Sequence, residues 1–286
     1  MKKNIVYADL HTHSTASDGT MTPTELIKKA KEVGLAVIGI TDHDTISGLE
    51  EAYKIGNKEN VIVVPGIEIS CGWEDRSTSV HVLGLFIDSK CKSLVDMLEE
   101  QRVSRFHRAF KILDLLEKEG IDVEELREEF KATPEKVLGR PHIARYLVRK
   151  GVVSEMQQAF EKYLLNGRPA YVPKQKVDPE YGIKLIHEAG GLAVLAHPGL
   201  ISEFDEVWKR LEKLDWDGLE VYYSEHSNST VKKFQTLADS KNLLATGGSD
   251  YHGENGKHVG RLGTAGLSKE QFEKIVEKVA KKEIVD

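Results

Sequence analysis

The sequence predicts an α/β protein, a parallel (β/α) barrel interrupted by an inserted α-helical subdomain. Three observations carry that expectation. Short apolar runs of strand length alternate with segments of helical period at both ends of the chain. Nearly every apolar run leads into a cluster of polar residues, and the carboxyl ends of barrel strands are where such folds build their sites. From about Leu94 to Leu165 the alternation stops and only helical period remains. A barrel rarely places four helices in a row, so residues 93–171 are read as the insert and residues 1–92 with 172–286 as the barrel.

Taken in order, Ile5 and Val6 begin a first strand that runs into Tyr7 to Ser14. Asp18-Gly19 makes a turn, and Thr22-Pro23-Thr24-Glu25 has the proline and acid of a helix start. Leu26, Ile27, Ala30 and Val33 recur at helical spacing until Gly34. Ala36 to Ile40 is a continuous apolar strand of the kind buried on both faces. A short helix over Ser47 to Ile55, a strand from Val61 to Gly66 running on into Ser70, and a strand from Val80 to Phe86 follow. In the insert, Leu94, Met97, Leu98, Phe106, Phe110, Leu113 and Leu116 make one stripe closed by Gly120, with further helices at Pro141 to Val148 and Ser154 to Leu165. Alternation resumes with a helix at Gly182 to Ala189 and a strand at Leu192 to Ala196. The rest reads helix (Phe204 to Leu214), strand (Gly218 to Tyr222), helix (Ser229 to Lys241), strand (Leu243 to Thr246) and an amphipathic helix from Lys269 to Lys282.

Composition narrows the function. The 286 residues are 30% charged with a net charge of −6, so no global basic field exists to hold a long nucleic acid, while a few local cations could still meet a small phosphorylated substrate. The two cysteines, Cys71 and Cys91, form no metal or disulfide pattern, and no run of 18 apolar residues occurs. A cytoplasmic enzyme without membrane partners is the expectation. Gly260-Arg261-Leu262-Gly263 has the wrong spacing for a dinucleotide loop, and no P-loop motif occurs, which argues against nucleoside triphosphate chemistry.

The chemistry lies at the strand ends. His11 and His13 stand at alternate positions, so a strand would project both imidazoles into one space. With Asp18, His43, Glu68, His81, His197, Asp250 and His252 they make a set of six imidazoles and three carboxylates. A catalytic zinc takes three protein ligands and keeps an open position, so this set implies two or three metals sharing a bridge. Nitrogen and oxygen donors without thiolate suit manganese, zinc or ferrous iron.

Asp9-Leu10-His11-Thr12-His13-Ser14, Thr41-Asp42-His43-Asp44, Gly66-Ile67-Glu68-Ile69, Ala196-His197-Pro198 and Gly248-Ser249-Asp250-Tyr251-His252 resemble the motifs of the PHP (polymerase and histidinol phosphatase) family over nearly the whole chain. Gly139-Arg140-Pro141-His142-Ile143-Ala144 and Glu220-Val221-Tyr222 look most like its bacterial stand-alone phosphoesterase branch, whose members release the 3′-phosphate of nucleoside 3′,5′-bisphosphates and trim 5′-phosphorylated oligonucleotides. The resemblance implies a distorted seven-stranded barrel with three divalent metals, manganese favoured. It places His11, His13, Glu68 and Asp250 on the first metal, Glu68 with His81 and His197 on the second, and Asp18, His43 and His252 on the third. Asp18 stands where some members have a histidine. Metals acidify bound water, so a bridging hydroxide is the expected nucleophile on phosphorus.

Around that core, Asp44 is a candidate to orient an imidazole or the attacking water, and Arg140 offers a planar fork to phosphate. His142 and His226 are candidate substrate contacts. A salt bridge inside the insert is the competing reading of Arg140, and a plain loop histidine that of His226. His107, His187 and His258 read as helix-face or loop histidines. Competing functions are a histidinol-phosphate phosphatase, a C–N amidohydrolase, and a non-catalytic PHP scaffold. The amidohydrolase is disfavoured because Glu68 takes the bridging place of a carboxylated lysine, and the scaffold because no ligand position is lost.

Overall fold

The computed structural model describes residues 6–73, 79–134, 138–254 and 260–283; Ile5 and His258 lie outside them. The chain divides into two compact units, residues 1–95 with 176–286 and residues 96–175.

The larger unit begins with β1 (Ala8–Asp9), α1 (Pro23–Glu32), β2 (Val37–Ile40), α2 (Leu49–Glu59), β3 (Ile62–Gly72) and β4 (Ser79–Leu85). The start of α1 is a capping box, in which Thr22 Oγ1 accepts from Glu25 N at 3.2 Å and the Glu25 carboxylate accepts from Thr22 N at 2.8 Å. A long helix, α3 (Lys92–Lys118), carries the chain into the smaller unit, which adds α4 (Glu124–Ala132), α5 (Arg140–Arg149), α6 (Met156–Ala159) and a π-helical turn at Phe160–Leu164. The larger unit then resumes with α7 (Pro179–Glu188), β5 (Leu192–Leu195), α8 (Phe204–Leu211), β6 (Gly218–Tyr223), α9 (Asn228–Lys241), β7 (Leu244–Gly248) and α10 (Lys269–Glu283).

The seven strands form one sheet in chain order. It closes on itself where Leu10 N donates to Gly247 O at 3.2 Å, Asp250 N to His11 O at 2.8 Å, and His13 N to Tyr251 O at 2.9 Å. Ala8, Leu10, Val37, Val64, Leu83, Leu85 and Val194 pack in one apolar cluster, with Phe272 and Ile275 of α10 against it. Leu26, Ile27 and Ala30 of α1 pack with Ile38, Ile40 and Leu49 in a second.

An all-parallel barrel is not what forms. β4 pairs antiparallel with both β3 and β5, whereas the other neighbours are parallel. Only residues 73–78 separate β3 from β4, too few for the crossover of a dozen or more residues that a parallel pair needs. The reversal places the beginning of β4, not its end, beside the functional ends of its neighbours. His81 thereby sits opposite Ser70, two residues beyond Glu68 on β3.

In the smaller unit, Ala109, Ile112, Leu113 and Leu116 of α3 pack with Leu126 and Phe130 of α4 and with Ile143 and Leu147 of α5. The sequence stripe that predicted α3 is therefore a buried face. The expected helix at Ser154 to Leu165 begins as α-helix at Met156 and changes to π-helix at Phe160.

Closure of the sheet depends on Gly248, because a Cβ there would stand 2.3 Å from His11 Cβ and 2.5 Å from His11 N. Gly248→Ala is expected to cost about 1–3 kcal/mol in urea unfolding through this overpacking. An unchanged midpoint would show that the β7–β1 seam yields.

Candidate metal centre

Glu68 stands at the centre of the site, fully buried on β3, and its two oxygens face different sets of imidazoles. Oε2 lies 3.4 Å from His11 Nε2, 3.2 Å from His13 Nε2 and 2.9 Å from His43 Nδ1. Oε1 lies 2.7 Å from His81 Nδ1 and 3.0 Å from His197 Nε2. Asp250 Oδ1 approaches His11 Nε2 at 3.4 Å and His13 Nε2 at 3.0 Å, and Asp18 Oδ1 lies 3.2 Å from His252 Nε2.

Ligand atoms therefore gather in three overlapping groups: His11, His13, Glu68 and Asp250; His43, Glu68 and His81; and His13, Asp18, His43 and His252, the atoms of each lying within 4.8 Å of one another. His197 joins through Glu68. All nine residues singled out at predicted strand ends meet in one place. Six strands deliver them: the chain after β1 brings His11, His13 and Asp18, that after β2 His43, β3 and β4 bring Glu68 and His81, and the chains after β5 and β7 bring His197, Asp250 and His252.

Charge and burial decide what this cluster can hold. Burial alone would raise Glu68, Asp18 and Asp250, yet the imidazoles around them hold all three well below the usual carboxylate range. Burial pushes His43 down to about 3, so it presents a neutral imidazole. His11 Nε2, His13 Nε2, His43 Nδ1 and Glu68 Oε2 are buried without an acceptable hydrogen bond although they face one another. Buried polar atoms left so cost about 1–3 kcal/mol each unless something else binds them, and converging nitrogen and oxygen lone pairs fit divalent cations.

Four further carboxyl and hydroxyl groups, to which the sequence reading gave no role, hold the cluster in place. Glu220, fully buried on β6, has Oε1 2.9 Å from His11 Nδ1 and Oε2 accepting from His197 N at 2.6 Å. A proton on His11 Nδ1 donated to Glu220 leaves the Nε2 lone pair facing Glu68 and Asp250. Tyr223 OH donates to Asp250 Oδ2 at 3.0 Å. Asp42 accepts from Ser14 N at 2.8 Å, Ser14 Oγ at 2.7 Å and Ser17 Oγ at 2.5 Å, which fixes the loop leading to Asp18. Asp9 accepts from Ser249 N at 2.9 Å and Gly263 N at 3.0 Å, and burial raises its carboxyl to about 6. The signal for Glu220 was a carboxylate between Leu219 and Val221 in an apolar strand. Asp44, His197 and Asp250 have φ of 52°, 26° and 53°, so backbone strain collects at the site.

The remaining candidates are placed as follows. Asp44 is buried, its Oδ1 accepting from Ser70 N at 2.8 Å and its N donating to Glu68 O at 3.0 Å, which ties the end of β2 to β3 beside Glu68. His226 has both ring nitrogens engaged, Nε2 accepting from Gly199 N at 3.1 Å and Nδ1 3.0 Å from Val221 O, the geometry of a loop staple. Arg140 and His142 lie in the helical unit, where His142 Nδ1 accepts from Gly139 N at 3.1 Å. Arg140 makes no ion pair among the described residues; Nη1 donates to Leu164 O at 3.0 Å. His107 is exposed, and His187 Nε2 lies 2.8 Å from Asp217 Oδ2, away from the cluster.

A barrel that gathers nine such donors in one buried cluster is that of a metal-dependent hydrolase. Residues 9–282 match the PHP domain, and the chain belongs to that family. It is 38% identical over 262 residues to the 3′,5′-nucleoside bisphosphate phosphatase of Chromobacterium violaceum, covering 88% of this chain and 90% of that one. It is 37% identical over 249 residues to a 5′-3′ exoribonuclease of Haemophilus influenzae, covering 85% and 89%. A solved structure from Bifidobacterium adolescentis, assigned as a metal-dependent phosphoesterase, superposes with a TM-score of 0.84 at 29% identity over 95% of this chain and 96% of that one. The protein is a hydrolase of phosphoesters.

Because Glu220 orients His11 and holds the His197 backbone, Glu220→Gln is expected to weaken metal binding by roughly 10- to 100-fold. Equilibrium dialysis with elemental analysis measures it, and wild-type affinity would remove Glu220 from the support of the centre.

Proposed function

We propose that the protein releases phosphate from nucleoside 3′,5′-bisphosphates and shortens 5′-phosphorylated oligonucleotides, as a cytoplasmic enzyme using three divalent ions, manganese favoured. The observation that carries this reading is Glu68, whose separate oxygens face two sets of imidazoles and so fit a bridge between cations. In the assignment proposed, His11, His13, Glu68 and Asp250 hold one ion, Glu68, His81 and His197 a second, and Asp18, His43 and His252 the third. When bound, such ions acidify water and neutralise the charge that develops on phosphoryl oxygens.

The chain's own residues supply the rest. Glu220 accepts the proton of His11 Nδ1 and Tyr223 OH donates to Asp250 Oδ2, which leaves His11 Nε2 and Asp250 Oδ1 on the ligand side. Asp44 holds the His43 segment against β3 and is a positioning residue for the imidazole beside it. Arg140 and His142 meet a phosphate of the substrate, and His226 keeps the turn after His197 in register through Gly199. Binding of a small phosphorylated molecule accords with the relatives named as a bisphosphate phosphatase and an exoribonuclease. A histidinol-phosphate phosphatase uses the same barrel and cluster, and the Arg140 segment favours the nucleotide reading over it.

A manganese-supplemented screen of nucleoside 3′,5′-bisphosphates, 5′-phosphorylated oligonucleotides and histidinol phosphate tests the reading. The bisphosphate is expected to show the highest kcat/KM, and preference for histidinol phosphate would overturn it. Glu68→Gln is expected to lose activity by orders of magnitude with the fold kept, since a neutral amide bridges two cations poorly. His107→Ala, exposed on α3, is expected to retain wild-type kcat; a collapse would mean that the division of the histidines is wrong.

A further inference from the structure

Strand β6 is irregular at one point. Glu220 pairs with Thr246 and Tyr222 with Gly247, so β6 advances two residues where β7 advances one, and Val221 is the extra residue of a β-bulge. In an even strand residues i and i+2 share a face, and Tyr222 would follow Glu220 toward the cluster. The bulge reverses that. Tyr222 turns out to α9, where its hydroxyl donates to Gln235 Oε1 at 2.7 Å. Tyr223 turns inward, 3% exposed, and its hydroxyl reaches Asp250 Oδ2 at 3.0 Å. Glu220 and Tyr223, three positions apart, thus serve one centre from one strand.

The bulge is itself held. An extra residue takes backbone groups out of the ladder, and the carbonyl of Val221 is met by His226, whose Nδ1 donates to it at 3.0 Å. That donation fixes the tautomer and makes Nε2 the acceptor for Gly199 N at 3.1 Å. The His226 ring lies 5.1 Å from the Tyr223 ring, at 63° to it, and the Tyr223 ring lies 5.6 Å from that of His197. The packing is close on both sides: a Cβ on Gly199 would stand 2.6 Å from His226 Nε2, and one on Gly247 2.6 Å from Tyr222 Cβ.

Asp250 is the residue that this arrangement addresses. Its Oδ1 faces the ligand side, 3.4 Å from His11 Nε2 and 3.0 Å from His13 Nε2, while Oδ2 accepts from Tyr223. A carboxylate can ligate a cation through one oxygen or through both. An oxygen that accepts from a buried tyrosine is withheld from the ion. Hydrolytic centres keep an open position for water or substrate, and a second carboxylate oxygen would fill it.

We propose that Tyr223, aimed by the bulge at Val221 and by the His226 that holds it, is a positioning residue that restricts Asp250 to ligation through Oδ1 alone, which keeps a position on the first ion open to a phosphoryl oxygen. This rests on the assignment of His11, His13, Glu68 and Asp250 to one ion made above. Tyr223 then limits the hold on the ion, whereas Glu220 strengthens it, so its loss separates metal affinity from turnover.

Cobalt(II) is the probe, because its visible absorption weakens as ligands are added beyond four; it is titrated into chelator-treated full-length protein. Tyr223→Phe, which keeps the ring, is expected to bind cobalt at least as tightly as wild type and to show a weaker visible band. Its kcat for p-nitrophenyl phosphate is expected to fall about tenfold, the scale of a hydrogen bond to a charged group, and the Ki of inorganic phosphate to rise by a similar factor. A cobalt affinity that falls together with kcat would overturn the proposal, since Tyr223 would then merely hold Asp250 on the ion, and so would a wild-type kcat. His226→Leu, which keeps volume but has no donor, is expected to reproduce the weaker band, and the double variant to lose no more turnover than the worse of the two single ones. Additive losses would overturn the part given to the bulge. Wild type that takes up no cobalt would overturn the metal centre itself, an outcome distinct from any difference between wild type and variant.

Discussion

Everything in the larger unit is subordinate to one carboxylate in one buried position. Glu68 is fully excluded from water with five imidazoles around its two oxygens, an arrangement that no solvent stabilises. A charge so placed is tolerable only if groups of opposite sign are brought to it and held. The strand ends do the bringing, and the carboxylates beneath do the holding. Glu220 grips His11 and the His197 backbone from β6, Asp42 grips the loop of Asp18, and Asp9 ties the chain after β7 to β1. The site is thus two layers deep, with donors facing inward above a lower tier of acids that holds their loops and, through Glu220, fixes the ring edge that His11 presents.

That arrangement explains the most conspicuous irregularity of the fold. A wholly parallel sheet sends every strand toward the site with its carboxyl end. β4 points the other way, yet still contributes His81, because a residue near the start of a reversed strand occupies the same level as residues past the ends of its neighbours. Position relative to the site, not chain direction, is what the chemistry requires. Strain at Asp44, His197 and Asp250 has the same origin, since each lies where the backbone must turn sharply to aim a side chain inward.

Most of this was legible because the ligands are polar residues interrupting apolar runs, and such interruptions stand out. His11, His43, His197 and Asp250 announce themselves in that way. The direction of β4 was not legible from the apolar pattern, since an apolar run of seven reads alike in either direction; only the shortness of residues 73–78 carried the information. Glu220 was visible as a motif residue but not as a support, because its role depends on His11 Nδ1, 209 positions away. His226 shows the converse: an eligible histidine whose nitrogens the backbone of Gly199 and Val221 has already engaged.

The closure of the sheet has a consequence for how the enzyme comes into being. Asp9 waits for Ser249 and Gly263, 240 and 254 positions later, and the first histidines wait for Asp250. A ribosome adding roughly 5–20 residues each second would have exposed residues 6–14 for many seconds before the chain that completes the site emerges. Contacts of such long range also make assembly slow once the chain is free. Until then the early histidines form an incomplete set, and a truncated chain ending before Asp250 would have the buried Glu68 carboxylate and no means of closing around it. Hydrolytic competence is therefore a property acquired late and all at once.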